Sequence, residues 1–287
     1  MSSVAATMTT KRKGKAMGKD LELVLMRSAP VGGFCIDPMS PNERAEWDAA
    51  VIAARVAEGF KPLTAKLLTW PSGNVKLSKS NAYGLSLSQA STSGFNVCRS
   101  STCGCRATCL ASAGKGSLSS VQRGRIWKTK LLASHPHLFV KALATEIRQA
   151  VIRHDGAVVP IRFNTLSDLA FERFAPELLN IYGIQPYDYT KRTDRTPPPN
   201  YHLTMSASER YSDADLIGLA GTYAAGTVAV VFSTKRNHAL PSTFAGLPVV
   251  DGDVSDSRWN DGTNVIVGLR AKGAAIGDRS GFVRSVV

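Results

Sequence analysis

The chain has 287 residues, 44% of them hydrophobic, and a formal net charge of +13 at pH 7. That length suits one large domain or two small ones, with enough apolar side chains for a sizeable core. No run approaches the ~18 apolar residues that span a bilayer, and the basic N-terminus lacks the apolar stretch of a secretory signal. The expected compartment is therefore the reducing cytoplasm, where disulfides are rare and clustered thiols read as ligands.

Residues 1–20 carry Lys11, Arg12, Lys13, Lys15 and Lys19 without apolar periodicity, which predicts a disordered basic tail. Residues 21–80 read as an N-terminal extension. Within it Ser40-Pro41-Asn42-Glu43 is a capping box. Trp47, Val51 and Ala54 follow at helical spacing, and Gly59 ends the run. The two apolar pieces around Pro71-Ser72-Gly73 predict a hairpin. Cys35, in the apolar patch GGFCID, is expected to be a buried small hydrophobe.

From residue 81 to 287 the pattern becomes strand, helix, strand with short links. Strands are expected at 83–87, 158–163, 184–189, 201–205, 228–232, 249–250 and 265–269. Ser117 is the expected N-cap of a helix striped by Val121, Gly124, Trp127 and Leu131, with Arg123, Arg125, Lys128 and Lys130 on its other faces. A second helix carries Phe139, Leu143, Ile147 and Val151. A third carries Phe171, Phe174, Leu178 and Ile181, and a fourth, capped by Ser212 with Asp215, carries Leu216, Leu219 and Ala220. Repetition of this unit predicts an α/β fold with a mostly parallel sheet. Seven strands fit a complete or partial parallel β/α barrel, with a doubly wound open sheet as the alternative.

In such architectures chemistry gathers where the strands end. Asp168 follows one strand, Lys191 the next, Ser206 the next, Asp251 and Asp253 another, and Lys272 the last. The carboxylates Asp168, Asp251 and Asp253 are candidate acid–base groups. Lys191, Ser206 and Lys272 are candidate contacts for an anionic substrate.

Four of the five cysteines, Cys98, Cys103, Cys105 and Cys109, fall within twelve residues in the spacing C-x4-C-x-C-x3-C, in a loop after the first barrel strand. Three or four thiolates would hold a [4Fe–4S] cluster. A closed structural zinc is the alternative, although paired knuckles are absent. Thiols without metal are the third reading. The radical S-adenosylmethionine spacing C-x3-C-x2-C is missing. His135, His137, His154, His202 and His238 have no ligand spacing, and no phosphate-cradling glycine loop occurs.

The strings CGCRATCLASAGKG, VQRGRIWKTKLL, IRFNTLSDLAFE, YDYTKR, YHLTMSASE, VAVVF, VVDGDVSDSRW and VIVGLRAKG, in that order over residues 65–285, resemble a family of bacteriophage proteins, the gene-product-88-type domain and its relatives. The resemblance implies a viral product acting in the bacterial host cytoplasm. It also matches the family's usual cysteines to Cys98, Cys105 and Cys109, with Cys103 an addition, and so favours a three-thiolate site. It assigns no reaction. The expected function is an enzyme acting on a nucleotide, nucleic acid or other anionic substrate. The alternatives are a nucleic-acid-binding protein with a structural metal, using the tail, the helix at 121–131 and the loop KRTDR, and a protein that binds a host factor. No membrane role is expected.

Overall fold

A computed structural model describes residues 18–71 and 75–285; most of the expected tail, residues 1–17, lies outside them. Near the chain start β1 (Lys19–Asp20) pairs in parallel with β4 (Phe95–Asn96), so Lys19 and Asp20 are ordered. Asp20 then caps α1 (Leu21–Ser28) by accepting from the Leu23 amide. The capping box forms as read: Ser40 and Glu43 exchange side-chain bonds at the start of α2 (Pro41–Ala57), whose Trp47 and Val51 are buried.

The main sheet has ten strands. Its hydrogen-bonded order is β2 (Leu68–Thr69), β3 (Tyr83–Leu85), β5 (Val159–Arg162), β6 (Ile184–Thr190), β7 (His202–Ser206), β8 (Thr227–Phe232), β11 (Val265–Arg270), β10 (Leu247–Asp251) and β9 (Thr243–Phe244). All seven expected strands are present and mutually parallel, from β3 to β10. β2 and β9 pair antiparallel at the two ends. The tenth strand, β12 (Val283–Arg284), was not legible. It lies beside Val231 and Phe232 of β8, where β7 has already turned away after Ser206.

Strand alternation separates the two faces. Val159, Ile161, Phe163, Leu203, Met205, Val228, Val230 and Phe232 join one hydrophobic cluster with Leu21, Trp47, Phe139 and Leu143. Those last residues come from α1, α2 and α6 (Pro136–Arg153). The other face carries Arg162 beside Tyr187 and, farther along, Thr204 beside Tyr189 and Thr227. The connection from β10 to β11 closes it: Asp256 accepts from Arg162 at 3.0 Å and from the Tyr187 hydroxyl at 2.9 Å, and Trp259 packs edge-on to Tyr187. A segment from one end of the sheet thus reaches strands four and five places away.

Four expectations are corrected. The two described pieces of the hairpin expected over 67–79 do not pair: β2 pairs with β3 and the second piece forms α3 (Val75–Lys79), while Ser72 and Gly73 of the expected turn lie outside the described residues. Glu146 accepts the amides of both Leu67 and Leu68, which removes those donors from any hairpin partner. The helix expected over 171–181 breaks into α7 (Phe171–Phe174) and a 3-10 turn (Pro176–Asn180). Pro176 lacks an amide donor and forces Ala175 out of helical geometry. Ser117 is not the cap of α5 (Ser119–Ser134): its hydroxyl folds back on Gly114, and Leu118 holds that position without a side-chain bond. Cys35 is exposed, its thiol donating to Asp37 at 3.0 Å, and Phe34 takes the buried place.

Candidate functional site

The cysteine loop is fastened to the C-terminal ends of the parallel strands. After β4, the Cys98 thiol donates to the Leu166 carbonyl at 3.3 Å, beyond the end of β5. Val97 accepts the Asp168 amide at 2.8 Å. Thr102 caps α4 (Cys103–Ala107) by accepting from the Cys105 amide. Its hydroxyl donates in turn to Glu209, past the end of β7, at 2.6 Å. The Gly104 amide donates to the other Glu209 oxygen, also at 2.6 Å. Glycine leaves room for this contact: a Cβ would press on Ser280 Oγ and lie 2.7 Å from the Glu209 carboxyl carbon, so both side chains would have to shift. On the far side Ser112 accepts from the Ala274 amide, after β11, at 3.3 Å. One short loop therefore touches the ends of β5, β7 and β11.

Cys98, Cys105 and Cys109 lie within electrostatic reach of one another. Burial pushes the Cys98 thiol up to about 12, and nearby Asp168, Cys109 and Cys105 add to it. Burial also raises Cys109, with Cys105 adding, while Lys191 and Arg125 pull the other way. Cys103 stands apart: it is exposed, and Arg106 donates to its sulfur at 3.4 Å. Among the described residues no group of three or more His, Cys, Asp or Glu side chains is arranged to hold a metal ion. As donors, three neighbouring recessed thiols with Arg125 and Lys191 close to Cys109 suit a thiolate-held centre. Loading would require them to lose their protons and turn from their present partners, as metal binding ordinarily demands.

The other anticipated residues fall into two groups. Asp168 is a clamp: it accepts from Thr190 Oγ1 at 2.7 Å and the Lys191 amide at 2.9 Å, with Arg195 at 3.7 Å. Lys191 Nζ donates to Ser206 Oγ at 2.7 Å and sits 5.2 Å over the Phe282 ring. Asp168 acts electrostatically on Cys98 and Lys191 on Cys109, and Ser206 is joined to them through Lys191. Asp251, Asp253 and Lys272 form a second group around Arg270, which donates to Asp251 at 2.9 Å and Asp253 at 3.3 Å, while Lys272 meets Asp253 at 2.6 Å.

Most cations of the basic segments are engaged by groups of the chain itself, some buried and one, Lys130, at the surface. Arg123 donates to the Glu58 carbonyl, Lys130 pairs with Glu58, and Lys128 donates to the Leu67 carbonyl. In the loop after β6, Arg192 is fully buried against Glu22 and Asp194, and Arg195 binds Glu172 and Tyr201. Gln122 and Arg125, not singled out in the sequence for this role, fasten the turn after Cys109 by donating to the Ala111 and Gly116 carbonyls. Their signal was present in the spacing, since 122, 125 and 129 share one helical face.

The family model described as Gene product 88 matches residues 59–285, more than half of the chain. Neither the curated proteins nor the solved structures contain a match. Among the described residues no helix is long and apolar enough to cross a membrane. The chain belongs to the gene product 88 family.

Proposed function

We propose that this family member is a phage enzyme of the bacterial cytoplasm. Its centre is held by Cys98, Cys105 and Cys109 and takes an iron–sulfur cluster, with zinc the alternative. The observation that carries the reading is the grouping of those three thiols, with Cys103 turned away, at the ends of parallel strands beside two cations. That is where β/α folds place their chemistry. Three thiolates leave one coordination position for a substrate or an exogenous ligand; bound there, a cluster would supply electron transfer or Lewis acidity. The chain's own residues divide the remaining work. Lys191 and Ser206 receive an anionic group of the substrate, and Asp168 orients Lys191 through its backbone amide. Asp251 and Asp253 hold Arg270 and Lys272 on the same rim.

The sheet is read as a partial β/α barrel. Support comes from Asp256, which bridges from the β10–β11 connection to β5 and β6 and so curls the polar face inward. The nucleic-acid-binding alternative relied on the basic tail, most of which lies outside the described residues, and on two segments within them, the helix at 121–131 and the loop KRTDR. Most cations of these two segments are occupied by partners within the chain, which leaves the enzyme reading as the one the geometry favours.

The test is anaerobic purification and reconstitution with iron and sulfide. Broad absorbance near ~400 nm with stoichiometric iron and sulfide supports the cluster. Zinc alone, in a colourless protein, moves the centre to the zinc alternative. Neither metal in either preparation removes the centre from the proposal.

A further inference from the structure

We propose that the cleft at the start of β7 binds an uncharged, planar nitrogen heterocycle that carries an amino group, the chemistry of an adenine or cytosine base. The cleft lies at the opposite end of β7 from Ser206 and its partner Lys191, and it does not depend on the cysteine-held centre.

The cleft has a volume of about 350 Å³, within the ~300–1,000 Å³ of small-molecule sites. Three separate stretches of chain wall it. The β6–β7 loop supplies the run Pro197–Pro199 and Asn200, the connection into β8 supplies Tyr223, and the connection from β10 to β11 supplies Trp259. Gln185 of β6 and His202 of β7 complete it. No lysine, arginine or carboxylate lines it, in a chain of net charge +13. A phosphate or carboxylate would be desolvated there without a counter-charge, whereas an uncharged ring would not.

The walls are held in place. Gln185 Nε2 donates to the Asn200 and Pro186 carbonyls, both at 3.0 Å, and Asn200 Nδ2 donates to the Leu179 carbonyl at 2.7 Å. The Tyr223 hydroxyl donates to the Arg192 carbonyl at 2.6 Å, and Trp259 packs edge-on to Tyr187 with ring centroids 5.1 Å apart. A fixed indole and proline rings favour a flat ligand, and bases stack on aromatic side chains whatever their sequence.

These bonds also decide the polar edge. Both amide nitrogens are committed to backbone carbonyls, so Gln185 Oε1 and Asn200 Oδ1 are left over, without partners among the described residues. Both are acceptors, and an amino group supplies two donors. His202 is neutral, since burial and then Arg258 push it down to about 4. Its Nε2 meets the Thr204 hydroxyl at 3.4 Å, and Thr204 accepts from Thr227 at 3.2 Å. The Thr204 proton therefore faces Nε2, and Nδ1 keeps the ring hydrogen. That N–H and the Trp259 indole N–H, which makes no hydrogen bond among the described residues, are donors for ring nitrogens. Acceptors and donors around an aromatic slot are how proteins read a base lifted out of its stack.

The test is calorimetric titration of the full chain with adenosine and cytidine, and with inosine and uridine, which carry a carbonyl in place of the amino group. Saturable binding of adenosine or cytidine is expected, about tenfold tighter than its carbonyl counterpart, the loss of one hydrogen bond with an acceptor left unpaired. Trp259→Ala should weaken the better ligand at least about tenfold. Gln185→Met should reduce the preference for the amino form to about threefold or less. Trp70→Phe, at a separate ring between Lys66 and Arg153, should leave binding within about twofold. Circular dichroism and thermal melting confirm that each variant is folded; should Trp259→Ala not fold, the amino preference of Gln185→Met decides. No saturable binding of adenosine or cytidine overturns the proposal. So does equal affinity for amino and carbonyl forms, full affinity in folded Trp259→Ala, or loss in Trp70→Phe, which would place the ligand elsewhere. Metal content does not enter the outcome, so the cysteine centre can fail without this site failing.

Discussion

Glu209 should control whether the cysteine loop is ordered. Its carboxylate receives the Thr102 hydroxyl and the Gly104 amide, both at 2.6 Å, and through Thr102 it supports the cap on the Cys105 amide. Hydrogen bonds to a charged group contribute about 1.5–3 kcal/mol each. Glu209 is partly exposed, so the pair is expected to be worth about 2–4 kcal/mol, not the full sum. Burial pushes the Glu209 carboxyl up, but the bonds from Thr102 and Gly104 outweigh it and hold the carboxyl below its ordinary value. Stabilisation from a lowered carboxyl is full above the unfolded value, about 4.3, and is lost as pH falls through the folded value. Glu209→Ala should therefore lower unfolding free energy by about 2–4 kcal/mol at neutral pH and expose Cys105 and Cys109 to a thiol reagent at least about tenfold faster. Glu209→Gln should fall between. Gly104→Ala should mimic the loss through the clash of its Cβ with Ser280 and Glu209. The assay is urea denaturation with thiol-labelling kinetics read by peptide mass. A Glu209→Ala protein with unchanged labelling and a loss under about 0.5 kcal/mol would refute the claim that this contact fixes the loop.

Other outcomes follow from the same contacts. Glu22→Gln should cost about 3 kcal/mol by denaturant titration, since it strips a buried partner from Arg192. His202 is pushed down to about 4, chiefly by burial and then by Arg258. A lowered histidine contributes stability above its unfolded value of about 6.5 and loses it as pH falls towards 4, so His202→Asn should remove about 2 kcal/mol of acid destabilisation over that window, allowing for partial exposure. Replacing Arg123 and Lys130 by Gln should leave the salt slope of any nucleic-acid binding unchanged in fluorescence anisotropy, because both side chains are engaged on Glu58.

The parallel strands were legible because Val228–Phe232 and its counterparts are apolar runs between turn residues, and one such run can be buried on both faces. β12 was not: two residues, Val283 and Arg284, carry no periodicity, and their place depends on where β7 leaves β8. The sheet order was also hidden, since β11 enters between β8 and β10, a pairing that local pattern does not encode. In the site, spacing exposed the cysteine cluster but not its division. Cys103 and Cys105 differ by two positions at the start of a helix, and which one points inward is set by the Glu209 anchor on Gly104 between them. The α5 cations misled for a related reason. Arg and Lys read as solvent-facing by type, yet long side chains can bury their stems and reach carbonyls such as those of Glu58, Leu67 and Gly116.

The central claim is a centre held by Cys98, Cys105 and Cys109 without Cys103. The most direct measurement is iron, sulfide and zinc content after anaerobic reconstitution of wild type, Cys103→Ala, and the triple variant Cys98→Ala/Cys105→Ala/Cys109→Ala. The account expects equal loading in wild type and Cys103→Ala and none in the triple variant. Equal loading in all three, loss of metal in Cys103→Ala, or no loading of the wild type would contradict it.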